Sequence, residues 1–174
     1  MRKLKVTELK RLTPEEFKDS KKIPLIVVLD HVRSLNNVGS VFRTSDAFRI
    51  EAIYLCGITA CPPNAEIHKT ALGAEDTVRW EYFKDTHEAI EKLKKNNYVT
   101  CAIEQVEGSV MLDELKLEKE KYAVILGNEV KGVQQSVVDE CDMCIEIPQY
   151  GTKHSLNVSV TAGIVIWSFF QQLC

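Results

Sequence analysis

The chain has 174 residues, 45% hydrophobic and 27% charged, which fits one globular domain with a real core. Its formal net charge of -3 is not that of an overall nucleic-acid-binding polycation. The charge is uneven, however: residues 1–22 carry eight Lys/Arg against four Asp/Glu, a local +4 that leaves -7 on the remainder. A basic arm on a mildly acidic body can touch phosphate, although charge alone favours a solvated tail.

The arm is charged and lacks the apolar run of a signal peptide, so the chain reads as soluble, intracellular and cytoplasmic. Thr13, Pro14 and Glu16 predict a helix start, with Thr13 as N-cap, Pro14 as first helical residue and Glu16 closing a capping box. That short helix is the only structure expected in the arm, residues 1–24, before a domain at 25–174. The run from Pro24 to Asp30 is apolar on successive residues, as in a strand buried on both faces. His31 to Asn37 form a polar loop. Val38, Val41, Phe42, Ser45 and Phe48 then recur at helical spacing.

A strand ending at Gly57 precedes a loop with a short helix from about Ala65 to Leu72, and Val78 to Phe83 alternate as a strand. Asp85 caps the next helix, with Glu88 at the capping-box position. Strands follow from Tyr98 to Glu104 and from Tyr122 to Gly127, separated by a linker at 105–121 with one turn around Leu112 to Leu115. A short helix from Gln134 to Cys141 leads to the last strand, Met143 to Pro148. Beyond Gly151 comes a long apolar segment. Leu156, Val160, Ile164 and Trp167 lie on one helical face, and Val158, Ala162, Val165 and Phe169 on another, which predicts a buried helix. Ser, Thr, Asn and Gly interrupt it, so it is read as a core helix and not a membrane span. Ser155 and Asn157 stand at its mouth, where the bland reading is a simple helix cap.

Alternating strands and helices predict an α/β fold, a mainly parallel sheet with helices on both faces. Ligands in such sheets bind outside the carboxyl ends of the strands. Three strand-end loops are polar and glycine-bearing: 31–43, 127–132 and 148–157. Gly127 to Gly132 is a near miss for a phosphate-binding loop, because Lys131 precedes the second glycine and no Ser or Thr follows it. No dinucleotide fingerprint and no nucleophile elbow is present. The six cysteines include pairs at 56/61 and 141/144, only loosely like a zinc site. Ordinary buried thiols explain them more simply, and no metal is expected. His31, His68, His87 and His154 lack ligand spacing. The three loops together offer Asn37, Arg43, Glu129, Ser155 and Asn157, a set suited to anion positioning and hydrogen bonding.

These loops carry a resemblance. Asn37, Gly39 and Arg43 match N-x-G-x-x-x-R; Gly127, Asn128, Glu129 and Gly132 match G-N-E-x-x-G. Ile147, Pro148, Gly151 and Ser155 through Val160 match I-P-x-x-G-x-x-x-S-L-N-V-S-V. In this order, over about residues 25–170, they resemble the SpoU/TrmH family of RNA ribose methyltransferases in the SPOUT superfamily. Two positions depart from the family pattern: Arg49 stands where glycine is frequent, and Tyr150 where Met or another residue is.

The resemblance implies a C-terminal deep trefoil knot, a homodimer with its site near the subunit boundary, and S-adenosylmethionine as methyl donor. It implies transfer to a ribose 2′-hydroxyl of tRNA or rRNA. Leu126, Gly127, Ile147 and Leu156 would meet the cofactor largely through backbone groups, which can read a base edge without side-chain chemistry. Arg43 would be central to catalysis with Asn37 beside it. Ser155 and Asn157 would position Arg43 or the ribose, and Glu129 would orient Arg43 or hold the dimer. Arg2, Lys3, Lys5, Lys10 and Arg11 would contact RNA phosphates; a compact chain with only this arm leans towards tRNA. The alternatives are a catalytically inert RNA-binding dimer of the same fold and, more weakly, another nucleotide-binding enzyme.

Overall fold

An interior strand shows why the sheet needs cover on both sides. In the computed structural model, which describes residues 1–174 with the Val6 side chain excepted, β1 spans Ile23–Asp30. It therefore starts inside the stretch read as arm. Leu25, Val27 and Leu29 enter one core, whereas Ile26 and Val28 enter the other. Side chains alternate between faces along a strand, so a continuous apolar run is buried twice over.

Six further strands complete the sheet: β2 (Ile50–Cys56), β3 (Trp80–Phe83), β4 (Val99–Ile103), β5 (Val110–Met111), β6 (Tyr122–Leu126) and β7 (Met143–Glu146). Their order is β3-β2-β1-β6-β4-β7-β5, and every pairing between them is parallel. The stretch 105–121 is more than a linker. β5 pairs with Ile145 and Glu146 of β7, and Leu112 and Leu115 fold back into the core.

The helices are α1 (Pro14–Asp19), α2 (Leu35–Ala47), α3 (Ala65–Ala71), α4 (Ala74–Thr77), α5 (Thr86–Lys95), α6 (Gln135–Glu140) and α7 (Val158–Leu173). On one face, Val38, Val41 and Phe42 of α2, Ile67 of α3, and Ala162, Val165 and Phe169 of α7 pack against β1 and β6. On the other, Ala89, Ile90 and Leu93 of α5 and Val137 of α6 do the same. Gly39 lets α2 meet α3: a Cβ there would lie 2.1 Å from Thr70 Oγ1 and 2.3 Å from the Ile67 carbonyl. Among the described residues no helix is long and apolar enough to cross a membrane.

The expected capping box forms: Thr13 Oγ1 accepts from Glu16 N at 3.2 Å, and Glu16 Oε2 accepts from Thr13 N at 2.8 Å. Asp85 caps α5 by accepting from His87 N at 3.0 Å, but Glu88 makes no return bond among the described residues. The arm also holds a 3-10 turn at Val6–Glu8. Two expectations need correction. α2 begins earlier than the polar loop suggested, with Ser34 as N-cap. α7 is not buried all round: Val160, Ile164 and Trp167 are 50%, 38% and 48% exposed, while Ala162, Val165 and Phe169 are fully buried. Hydrophobicity alone does not separate a core face from a face left open on a single chain.

Asp30 anchors the carboxyl end of β1. Fully buried, it accepts from Thr86 Oγ1 at 2.6 Å and from Gln134 Nε2 and N, each at 3.0 Å. Three donors satisfy a buried carboxylate that would otherwise be costly, and they pin the starts of α5 and α6 beside the loops that follow β1 and β6.

Candidate active site

β1, β6, β4 and β7 are neighbours and parallel, so their carboxyl ends open on one edge. After β6, residues 127–132 form a tight loop. Asn128 N donates to Gly132 O at 3.0 Å and Gly132 N returns to Asn128 O at 2.9 Å. Asn128 Oδ1 accepts from the N–H groups of Val130 and Lys131 at 2.9 and 3.1 Å, and its Nδ2 donates to His31 O at 2.8 Å. Gly132 adopts a φ of +68°, where glycine is favoured. The sequence pattern gives Asn128 no evident role; in the fold it shapes the loop.

Glu129 next to it reaches the start of α2. Its Oε2 accepts from Arg33 N at 3.0 Å, and its Oε1 accepts from Ser34 N at 2.9 Å and Asn37 Nδ2 at 3.0 Å. A carboxylate at a helix N-terminus meets free N–H groups and the positive end of the dipole. Asn37 Oδ1 in turn accepts from Asn157 Nδ2 at 3.2 Å, and Asn157 Oδ1 caps α7 by accepting from Ser159 N at 2.9 Å. One chain of polar contacts thus joins a residue from each of the three motifs.

Partial burial pushes the Glu129 carboxyl up, but the N–H donors of Arg33 and Ser34 and the Asn37 amide outweigh it and leave it below the usual carboxylate range. The stabilisation is therefore complete above that range and is lost as pH falls through the lowered value. Glu129→Gln is expected to flatten the acid limb of a plot of melting temperature against pH; an unchanged limb would contradict the contact.

Asn37, Glu129 and Asn157 are brought together; Arg43 and Ser155 are not in the same contact chain. Arg43 is exposed on α2, about 9 Å along the axis from Asn37, and makes no side-chain hydrogen bond or ion pair among the described residues. Within the chain neither Glu129 nor Asn157 touches Arg43: Glu129 spends both oxygens on the start of α2, and Asn157 spends its amide on Asn37 and α7. Ser155 is exposed and lies on the wall of a cleft of about 500 Å³. Leu126, Gly127, Ile147 and Leu156 all line that cleft, together with Glu129 and Glu104. Its size suits a small-molecule ligand, and Gly127 and Gly132 are part of its wall. Glu104, one residue past β4, escapes a search confined to glycine-bearing loops, although the strand-end rule covers β4 equally.

Elsewhere the cysteine thiols are of a different kind. Burial pushes Cys56 and Cys141 each up to about 12 and Cys101 higher still, so these thiols stay protonated. Of the two departures in the motifs, Arg49 has a φ of +51°, a backbone angle that favours glycine, and Tyr150 is 95% exposed.

The sequence pattern of the SpoU rRNA Methylase family matches residues 24–167. The 23S rRNA (guanosine-2'-O-)-methyltransferase RlmB of Nitrosomonas europaea is 32% identical over 169 residues, covering 96% of this chain and 64% of that protein. This chain thus spans less than two thirds of that relative's length. Among solved structures, the A. aeolicus TrmH/SpoU tRNA modifying enzyme superposes with a TM-score of 0.80 at 25% identity, covering 91% of this chain and 81% of that one. The AdoMet-bound rRNA methyltransferase from Sinorhizobium meliloti gives a TM-score of 0.82 at 25% identity, covering 94% and 62%.

Proposed function

The chain belongs to the SpoU rRNA Methylase family, and on that premise we propose that it transfers a methyl group from S-adenosylmethionine to a ribose 2′-hydroxyl of tRNA or rRNA. The observation that carries this reading is the cleft. The four positions expected to meet the cofactor line it together, although they come from two separate stretches of sequence, at the end of β6 and in the 147–157 loop. A solved relative is named as AdoMet-bound and a curated one as a guanosine-2'-O-methyltransferase.

The residues present fit the cofactor. Gly127 lets the Gly132–Val133 backbone pack directly against it at the wall of the cleft, and Leu126, Ile147 and Leu156 supply apolar lining. When bound, S-adenosylmethionine supplies a methyl group on a sulfonium, already activated towards an oxygen nucleophile. Arg43 supplies positive charge near the ribose. A guanidinium is a poor base because it does not give up its proton in a protein. Its role is to stabilise charge developing on the 2′-oxygen and to clamp a neighbouring phosphate. Asn37, held between Glu129 and Asn157, fixes the loop edge against which the ribose is aligned, and Ser155 offers a hydroxyl to it.

A homodimer is part of the proposal. The exposed stripe of Val160, Ile164 and Trp167 continues into Phe48 at the C-cap of α2, whose ring lies 5.6 Å from Trp167. An apolar face of this kind suits a second copy, which would approach Arg43 on the same helix. The deep knot belongs to the same reading through the family resemblance, as does a cytoplasmic setting with the RNA.

Labelled methyl transfer to total RNA lacking the modification, followed by mapping of the modified nucleotide, tests the activity and separates tRNA from rRNA. Calorimetry with S-adenosylmethionine separates the enzyme from an inert RNA-binding dimer: no binding would favour the inert module. The arm is tested by deleting residues 1–12. Arg2 is engaged by Glu8, with Nη2 to Oε1 at 2.9 Å and Nη1 to Oε2 at 3.0 Å, so it is the weakest phosphate candidate. Lys3, Lys5, Lys10 and Arg11 are exposed and make no ion pair among the described residues. The deletion is expected to weaken RNA binding and flatten its dependence on salt, by about 0.7–0.9 in log–log slope for each phosphate that is no longer neutralised. Identical binding at low and high salt would refute the role.

A further inference from the structure

Glu104 and Gln105 stand just beyond β4 and belong to none of the three motifs, yet between them they touch both loops that form the cleft. Glu104 is held against β7 by its own N–H, which donates to Ile145 O at 3.1 Å. Its carboxylate reaches the 127–133 loop: Oε2 accepts from Val133 N at 3.0 Å, while Oε1 accepts from Gln105 N at 2.9 Å. The carboxylate passes under Gly132, where a Cβ would lie 2.1 Å from Oε2. A side chain at position 132 would therefore displace the Glu104 carboxylate, besides meeting the strained backbone angle. On the opposite side Gln105 Nε2 donates to His154 O at 3.0 Å, in the 147–157 loop. Both residues line the cleft.

The two loops are thus tied from two directions. Asn37 links Glu129 to Asn157 on the α2 side, and the 104–105 pair links Val133 to His154 on the β4 side. A ligand read by backbone groups makes no use of side-chain flexibility, so the loops must already stand at the right separation. Val133 is buried, and its N–H left without Glu104 would be a donor in search of a partner.

We infer that Glu104 and Gln105 are positioning residues that brace the 127–133 and 147–157 loops at the spacing required for S-adenosylmethionine. This rests on the cofactor reading above, and the test separates the two. Calorimetry with S-adenosylmethionine and residue-resolved amide exchange are measured on the full chain and on Glu104→Ala, Glu104→Gln and Gln105→Ala. Glu104→Ala is expected to weaken affinity about tenfold, equivalent to about 1.4 kcal/mol. Glu104→Gln weakens it less, because its one remaining carbonyl oxygen still accepts one N–H. Gln105→Ala, an exposed substitution, weakens it roughly threefold with an unchanged melting temperature. Without any ligand, the Val133 amide exchanges faster in Glu104→Ala than in the unaltered chain. Unaltered affinity in all three variants overturns the brace, as does unchanged exchange at Val133. If the unaltered chain takes no S-adenosylmethionine, the cofactor reading falls, and the brace stands or falls on the exchange of Val133 alone.

Discussion

Arg43→Ala is expected to reduce single-turnover methyl transfer by about 10³-fold or more while leaving S-adenosylmethionine affinity within about twofold. The magnitude follows from the loss of a preorganised charge at the reacting oxygen, for which single donors contribute about 10²–10³, together with loss of a phosphate clamp. The selectivity follows from the structure. Arg43 is exposed, makes no internal hydrogen bond or ion pair among the described residues, and is absent from the lining of the cleft. Its removal has nothing to break inside the chain, so the melting temperature is also expected to hold. Arg43→Lys keeps the charge but loses the planar fork, and is expected to recover part of the rate. Calorimetry beside single-turnover kinetics gives the split directly. Full activity in the alanine variant would remove Arg43 from the mechanism, and a matching drop in cofactor affinity would make it a binding residue instead.

How much was legible from sequence varied with the range of the interactions. β1 was legible because a strand covered on both faces must be apolar at successive positions, and Leu25 to Leu29 are. The capping box at Thr13 was legible because its partners are three residues apart. α7 was misread on one side. Val160, Ile164 and Trp167 have the same spacing and hydrophobicity as a core face, and only the packing shows that they are left half open in the single chain. β5 is two residues long and exists only because β7 offers it an edge, so no local pattern could announce it.

The site divides in the same way. The motif residues could be recognised, but their contacts could not. Glu129 meets Arg33 and Ser34 across more than ninety residues, a contact that no local pattern announces. Glu104 carries no motif at all; its role depends on where Val133 and Gly132 arrive in space. Arg49 shows the reverse case, in which a departure from a family pattern pointed to a real backbone feature, its φ of +51°.

The motif glycines give the second large effect, because they are present for different physical reasons. A Cβ on Gly127 would lie 2.1 Å from both Gly132 C and Val133 N, and 2.4 Å from Gly132 O. These are backbone atoms and cannot swing aside as a side-chain tip does. Gly127 itself cannot retreat, since Leu126 before it is buried and paired with Leu29 of β1. The displacement must fall on residues 132–133, and it breaks either the paired bonds between Asn128 and Gly132 or the Glu104 bond to Val133. Gly127→Ala is therefore expected to lower S-adenosylmethionine affinity by about 100-fold, about 2.7 kcal/mol. Overpacking of this kind costs about 1–3 kcal/mol of stability, which for a chain of this size lowers the melting temperature by roughly 2–12 °C. Gly151 provides the control: it lies in the third motif, but a Cβ there meets nothing within 4 Å, and its φ is not in the left-handed region. Gly151→Ala is expected to melt with the unaltered chain. Calorimetry and thermal melting on the two variants decide the matter; if both behave alike, the close approach at Gly127 is not what shapes the cleft.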